Sequence, residues 1–362
     1  MKRVEKVEEK KKVLILYNYI LHYRKPFFNQ LAKKYQVTVL HSGQPSVTED
    51  DKYAEIITPV KKLGPFMLQS GVYNAVFSDE YDIVISLFDV RWVNILLYLL
   101  FKKSSQQHLL WGAWITNSRI ANHVRAFFMK RADASVFYTY EALADFLDYG
   151  LEERTMYVGN NTFDVGSRIR SFESPVKNRI LFVGSLNKRK ENDVLLKAFA
   201  NVKQQLPADI RLTFIGEGSE GESLKSLSSQ LNLGSEVEFL GKINDPEKLK
   251  EYYQHAIVSV SFGQAGLAVL QSLGYGVPFL TKLNAISGGE KSNIKNNVNS
   301  VFCEDNQRSL EQSLVKLCTD IDYSRALGKA AFDHYSEYCT IENMTQGFLD
   351  AIEGTRLAKI DK

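Results

Sequence analysis

The chain is sparing with cysteine, and its charges nearly balance. Its three cysteines, Cys303, Cys318 and Cys339, lie towards one end without a CxxC spacing. No His/Cys cluster accompanies them, so neither a disulfide framework nor a thiolate metal site organises the fold, and a reducing compartment is expected. Lys and Arg number 45 against 42 Asp and Glu, a net charge of +3, which is too small to argue for a nucleic-acid partner. Long apolar runs are missing as well. The longest, WVNILLYLLF at 92–101, is interrupted by Asn94 and falls well short of the ~20 residues a membrane-spanning helix needs. The opening MKRVEKVEEKKK mixes both charge signs and lacks the apolar core of a signal peptide. Residues 1–12 therefore read as a solvated tail, and export is not expected.

What is present fits a globular chain of two domains. Hydrophobic residues make up 44% and charged residues 24% of 362 positions, and that length exceeds what a single core usually serves. Short β-branched or apolar runs alternate with helical-period segments throughout, the signature of parallel sheets with crossover helices. The first series is VLILY at 13, QVTVLH at 36, DIVISLF at 82, HLLW at 108 and ASVFYT at 134. A polar stretch at 166–178, which carries Gly, Ser and Pro without periodicity, marks a boundary. The second series is RILFVG at 179, IRLTFIG at 210, VEFLG at 237, IVSVSF at 257 and VPFLT at 277. The expected fold class is α/β: Rossmann-like domains over 1–170 and 171–340, facing a central cleft, with a C-terminal helix in 341–362 packing back on the first.

The chemistry concentrates in SVSFGQAGLAVLQSLGYGVPFLT at 259–281, which reads as strand, glycine loop, helix, glycine turn and strand. Gly263 and Gly266 permit close backbone approach, and a helix from about Leu267 would aim free N–H groups at an anion. An ordinary βα turn reads the same way. Following the first strand, YNYILHYRKPFF places Tyr17, Asn18, His22, Tyr23, Arg24 and Lys25 in a loop ahead of a helix opening at Pro26. Hydroxyl and aromatic groups there suit a sugar, while core aromatics and a solvated basic pair explain them equally well. Between Asp89 and Asp133 no acidic residue occurs, yet Arg91, Lys102, Lys103, Arg119, Arg125, Lys130 and Arg131 alternate with apolar residues. An anionic membrane surface is one partner for such a stretch, and a mixture of core and solvated face is the plain alternative.

Taken together, the motifs resemble the retaining glycosyltransferases of the GT-B type, family 4 (glycosyl transferases group 1). Gly263, Gln264, Ala265 and Gly266 stand where that family has its E-G-F-G loop, with Leu267 following, and Gln271 stands at the second Glu. Gly276-Val277-Pro278 and Gly288-Gly289-Glu290 occupy the next two motifs. FVGSLNKRK at 182 resembles the V-G-R-L segment whose Arg and Lys contact the donor diphosphate, and FIGEGSEGESL at 214 resembles a loop around the nucleotide base. The resemblance implies donor contacts at Gly184, Ser185, Arg189, Lys190, Glu217, Gly263, Gln264, Ala265, Gly266, Leu267, Gln271 and Glu290. Lys190 would be the catalytic group. It further implies acceptor contacts at Tyr17, Asn18, His22, Tyr23 and Arg24, with Ala113 of LLWGAWI at the place of the family's His. Gly263 and Gln271 replace the two glutamates, and Ser185 the phosphate-binding Arg. Since a retaining transfer lets the departing phosphate take the acceptor proton, the protein must mainly stabilise that phosphate's charge.

The expected activity is transfer of a hexose, with retention, from a nucleotide-sugar to a glycan or polyprenyl-linked saccharide in capsule or lipopolysaccharide-type synthesis. No metal or other cofactor is expected. The expected location is cytoplasmic, peripheral on the inner face of the cell membrane. A degenerate GT-B protein that binds a nucleotide-sugar or a partner without turnover is the alternative from another class.

Overall fold

The computed structural model describes residues 10–355. Residues 1–9 of the expected tail and 356–362 of the expected C-terminal helix lie outside them. Lys12 already belongs to the first strand. Two compact units emerge: residues up to Asn161 joined by those from Ile341 onward, and Thr162–Thr340. The unit boundary thus precedes the polar stretch at 166–178, and Val165 just before that stretch is buried in the second unit's core.

The first unit contains β1 (Lys12–Leu16), α1 (Lys25–Ala32), β2 (Gln36–His41), β3 (Ala54–Ile57), β4 (Val60–Leu63), β5 (Phe66–Gln69), α2 (Val72–Phe77), β6 (Ile83–Leu87), α3 (Val93–Phe101), β7 (Gln107–Trp111), α4 (Arg119–Met129), β8 (Ala134–Phe137), α5 (Tyr140–Leu147) and β9 (Met156–Val158). Its main sheet runs β3-β2-β1-β6-β7-β8-β9, every pairing parallel, and β4 with β5 forms a separate antiparallel hairpin. Central strands are covered on both faces, which is why they read as continuous apolar runs rather than alternating ones. In β1, Val13 and Ile15 enter one core and Leu14 and Leu16 the other.

The second unit contains β10 (Arg179–Val183), α6 (Asn192–Val202), β11 (Arg211–Ile215), α7 (Gly221–Gln230), β12 (Val237–Phe239), α8 (Pro246–Gln254), β13 (Ala256–Val260), α9 (Ala268–Gly274), β14 (Phe279–Lys282), β15 (Val301–Cys303), α10 (Gln307–Thr319) and α11 (Ile321–Tyr338). Its parallel sheet runs β12-β11-β10-β13-β14-β15. The same two-sided burial recurs, with Ile180 and Phe182 in one core and Leu181 in the other. Cys303, Cys318 and Cys339 are buried thiols.

The last helix, α12 (Ile341–Glu353), returns to the first unit. Met344 and Phe348 sit in its core, with the Phe348 ring 4.6 Å from Phe27 and 5.0 Å from Trp111. Burying one such aromatic contributes about 1.5–3 kcal/mol, enough to fix a helix that would be marginal alone. Among the described residues no helix is long and apolar enough to cross a membrane.

Candidate functional site

In an open parallel sheet, ligands bind beyond the carboxyl ends of the strands where the strand order reverses, because the loops on either side of that point diverge and leave a crevice. In the second unit the reversal lies between β10 and β13. The loops leaving those strands are Gly184–Glu191 and Ser261–Leu267. They carry the glycine loop and the basic run on which the sequence reading concentrates.

The first loop is tied down by its neighbours. Gly184 N–H donates to the Ile215 carbonyl at 2.9 Å, and Leu186 N–H donates to the Glu217 carbonyl at 2.9 Å. Ser185 is exposed and its Oγ accepts from Asn187 Nδ2 at 2.7 Å. Lys188–Lys190 then make one 3-10 turn, leaving Lys188 and Arg189 in solvent while Lys190 is 7% exposed. Burial pulls the Lys190 ammonium down to about 8, with Arg189 acting the same way and the Glu290 carboxylate opposing both.

The two loops meet at Lys190. Its Nζ lies 3.5 Å from the Gln264 carbonyl, and its own carbonyl accepts from Gly263 N–H at 3.1 Å. Ser261 Oγ donates to the same Gln264 oxygen at 2.7 Å. Glu290 opens a second 3-10 turn and is buried; its carboxylate accepts from Gly288 N–H at 3.0 Å. A cation beside one carbonyl dipole, favoured by a carboxylate but disfavoured by burial, would gain from a bound anion.

Several expected contacts need correction. Ala265 is fully buried in the core and its N–H donates to the Ile286 carbonyl at 2.8 Å, so it has no amide to give a ligand. Gln271 is buried in α9, where its Oε1 accepts from the Tyr253 hydroxyl at 3.3 Å. Its two N–H donors and one lone pair of that oxygen remain for a ligand. Gly266 is not in the left-handed region, and a Cβ built on it meets nothing within 4 Å. A side chain there would project into open space rather than strain the turn. Helix α9 has seven residues, too short for a strong macrodipole, although its first amides lack partners inside the helix and Leu267 caps it without a side-chain bond. Glu217 is exposed at the end of β11, near Gly241.

In the first unit, the residues after β1 divide. Tyr17 stacks on Trp111 with ring centroids 5.2 Å apart, and its hydroxyl accepts from Arg24 Nε at 3.2 Å. Arg24 is buried, also reaching Tyr138 and the Met344 sulfur and lying over the Trp111 ring. This pair holds the core and α12 instead of presenting free groups to a sugar. Ala113 is buried likewise, so its methyl belongs to packing. Asn18 is half-buried, with its carbonyl accepting from Ser42 N–H at 2.9 Å. Exposed His22 begins a 3-10 turn with its ring edge-on to Tyr23. In β7, His108 is fully buried and bonded to Ser86 at 2.7 Å. Burial, aided by Lys102, pulls it down to about 3, so it stays neutral.

The basic stretch is less free than its sequence implies. Arg91, Lys102 and Lys103 pair with Asp89, Asp133 and Asp79, the last brought in from outside the stretch. What remains is α4, where Ile120, Val124 and Phe127 recur at i, i+4 and i+7 and are exposed, Ile120 by 79%. Arg131 lies 3.5 Å over the Phe127 ring. Sequence reasoning missed Glu191, which closes the Lys188–Lys190 turn, because nothing in a KRKE run signals a left-handed residue.

Residues 168–334 match the family described as glycosyl transferases group 1. An uncharacterized glycosyltransferase of Haemophilus influenzae is 31% identical over 130 residues, 35% of this chain and 35% of that protein. The N-acetylgalactosamine-N,N'-diacetylbacillosaminyl-diphospho-undecaprenol 4-alpha-N-acetylgalactosaminyltransferase of Campylobacter jejuni is 36% identical over 86 residues, 23% of this chain and 22% of that one. The chain thus spans about a third or less of the length of these curated relatives. Among solved structures, Anabaena HepE in complex with UDP superposes with a TM-score of 0.73 at 14% identity, covering 95% of this chain and 99% of that one. The match to glycosyl transferases group 1 thus covers residues 168–334, within a chain whose two-halved α/β fold is that of GT-B glycosyltransferase structures.

Proposed function

We propose that the chain is a glycosyltransferase that moves a hexose, with retention, from a nucleotide-sugar to a glycan or polyprenyl-linked saccharide in capsule or lipopolysaccharide-type synthesis. One observation carries this reading: the buried Lys190 ammonium at the strand-order reversal, beside the Gly263–Gly266 loop. As the bond to the sugar breaks, charge grows on the leaving diphosphate. A preorganised cation and the amides of Gly266 and Leu267 stabilise that charge more than they stabilise the ground state, which is what lowers the barrier. Lys190, with Arg189 beside it, supplies positive charge without a divalent ion. Gly184, Ser185, Gln264 and Glu290 frame the diphosphate side, Glu217 the base side, and Gln271 donates to ribose.

Two comparisons support the partners. HepE is solved with UDP and with UDP-glucose, and the name of the Campylobacter relative gives a diphospho-undecaprenol acceptor. In the first unit, Asn18, His22 and Tyr23 are the acceptor candidates left after Tyr17, Arg24 and Ala113 are accounted for by packing. The Ile120, Val124 and Phe127 face of α4, rimmed by Arg119, Lys130 and Arg131, would lie on the anionic inner surface of the cell membrane where lipid-linked acceptors are found. The test is a panel of UDP-, GDP- and ADP-hexoses, scored for nucleoside diphosphate release with and without EDTA. NMR of the product's anomeric proton then reads retention. Release from one donor, unaffected by EDTA and giving an unchanged anomeric configuration, is expected; inversion or a metal requirement would refute those parts of the reading.

A further inference from the structure

Glu191 stands out beside Lys190. Among the described residues, the non-glycine positions with positive φ are Glu191, Asn232 and Asn297. Asparagine enters this region readily because its short amide bonds the local backbone, whereas glutamate has no such compensation. Glu191 nonetheless holds φ 53° and ψ 43° between the basic turn and α6. Such strain persists only where the surroundings enforce it, and it clusters at functional sites.

Those surroundings are specific. Both carboxylate oxygens of Glu191 accept from Lys282 Nζ, at 2.6 and 2.8 Å, while the glutamate side chain stays 34% exposed. A Cβ built on Gly263 would fall 2.8 Å from Glu191 Cγ, 2.9 Å from its Cδ and 2.4 Å from the Arg189 carbonyl. The bare backbone at 263 is thus the space that the Glu191 side chain fills. Lys282 fixes the carboxylate at the edge of the same two loops that hold Lys190, with one face left to solvent.

A carboxylate only accepts hydrogen bonds. Next to a diphosphate it would repel the phosphates, so the ligand groups it can serve are neutral donors lying just beyond them. In a nucleotide-sugar those are the hydroxyls of the sugar. Resting on the function proposed above, we infer that Glu191 is a specificity-determining residue that accepts hydrogen bonds from hydroxyls of the transferred sugar, reaching from the α6 turn into space left by Gly263.

Calorimetry of the full chain with UDP, GDP and ADP, and with their hexose conjugates, tests this in the wild type, Glu191→Gln and Glu191→Gly. The quantity read is the ratio of affinity for the conjugate to that for the matching diphosphate. Both variants should lower the ratio by about 10- to 100-fold, the weight of hydrogen bonds to a charged acceptor. Affinity for the diphosphate itself should not fall, since the bonds to it are untouched and only a repelling charge is removed, so the affinity for the conjugate must drop in absolute terms as well as in ratio. Glu191→Gly relieves the left-handed strain, so its melting temperature should not fall. An unchanged ratio, including one in which both affinities drop together, overturns the inference and leaves the donor site standing. A wild type that binds none of the three diphosphates overturns the proposed function, and this inference with it.

Discussion

Replacing Lys190 by methionine separates a functional lysine from a structural one. Methionine keeps an unbranched side chain of similar length and removes the charge together with the Nζ contact to the Gln264 carbonyl. The protein holds that charge at a cost: burial lowers the ammonium from 10.5 to about 8, equivalent to ~3 kcal/mol against the charged form in the unliganded protein. At pH 7 the variant should therefore be as stable as the parent or more so. Its turnover on an identified donor should fall by about 10² to 10³, the usual effect of losing one preorganised partner of a charge that grows in the transition state, about 2.7 to 4 kcal/mol. Denaturant unfolding and single-donor kinetics read the two effects separately. A variant that loses stability and keeps near-normal turnover would refute the reasoning, because Lys190 would then be a packing and bonding element whose charge serves no ligand.

The same group sets a pH dependence. Its folded value near 8 lies below its ordinary 10.5, so the unfolded chain binds more protons between those limits and the Lys190 contribution to stability rises with pH across that window; denaturation midpoints of parent and Lys190→Met should converge as pH rises. Diphosphate affinity should move the other way, falling above about pH 8 by calorimetry as the ammonium is lost. Gly266→Val should fold with an unchanged melting temperature, because nothing stands within 4 Å of its Cβ, yet abolish donor binding by filling the space in front of the loop. Gln271→Ala should lower stability by about 1–3 kcal/mol by removing an acceptor of the buried Tyr253 hydroxyl, and weaken nucleotide by about 2- to 10-fold through one lost donor; unchanged nucleotide affinity would remove Gln271 from the site. Ile120→Ser with Phe127→Ser should reduce sedimentation with anionic liposomes at low salt, and equal binding of parent and variant would leave α4 as ordinary surface.

The central strands were legible because both their faces are buried. VLILY, DIVISLF, RILFVG and IVSVSF are apolar without alternation, as parallel strands between two helical layers must be. Strands β3, β4 and β5 were not, since most of their residues face solvent and the sequence AEII-TP-VKKL-GP-FMLQ carries no burial period. Strand β15, three residues at the sheet edge, was not among the strands read from sequence.

At the site, the glycine loop and Lys190 could be placed because they follow strands that themselves could be placed. Contacts formed across the chain were beyond reach. Arg24 looks like a free cation in HYRK until Tyr17, Tyr138 and Met344 close around it. Gln271 looks wholly available until Tyr253 donates to its oxygen. The Glu191 carboxylate is meaningful only beside Lys282 and a bare position 263, which are about ninety and seventy residues away in sequence.

The most direct test of the donor site is a crystal structure of the full chain with the nucleoside diphosphate released from its own donor. The account predicts phosphate oxygens within hydrogen-bond distance of Lys190 Nζ and of the Gly266 and Leu267 amides, at the carboxyl ends of β10 and β13. A diphosphate bound elsewhere, with Lys190 still turned to the Gln264 carbonyl, would contradict it.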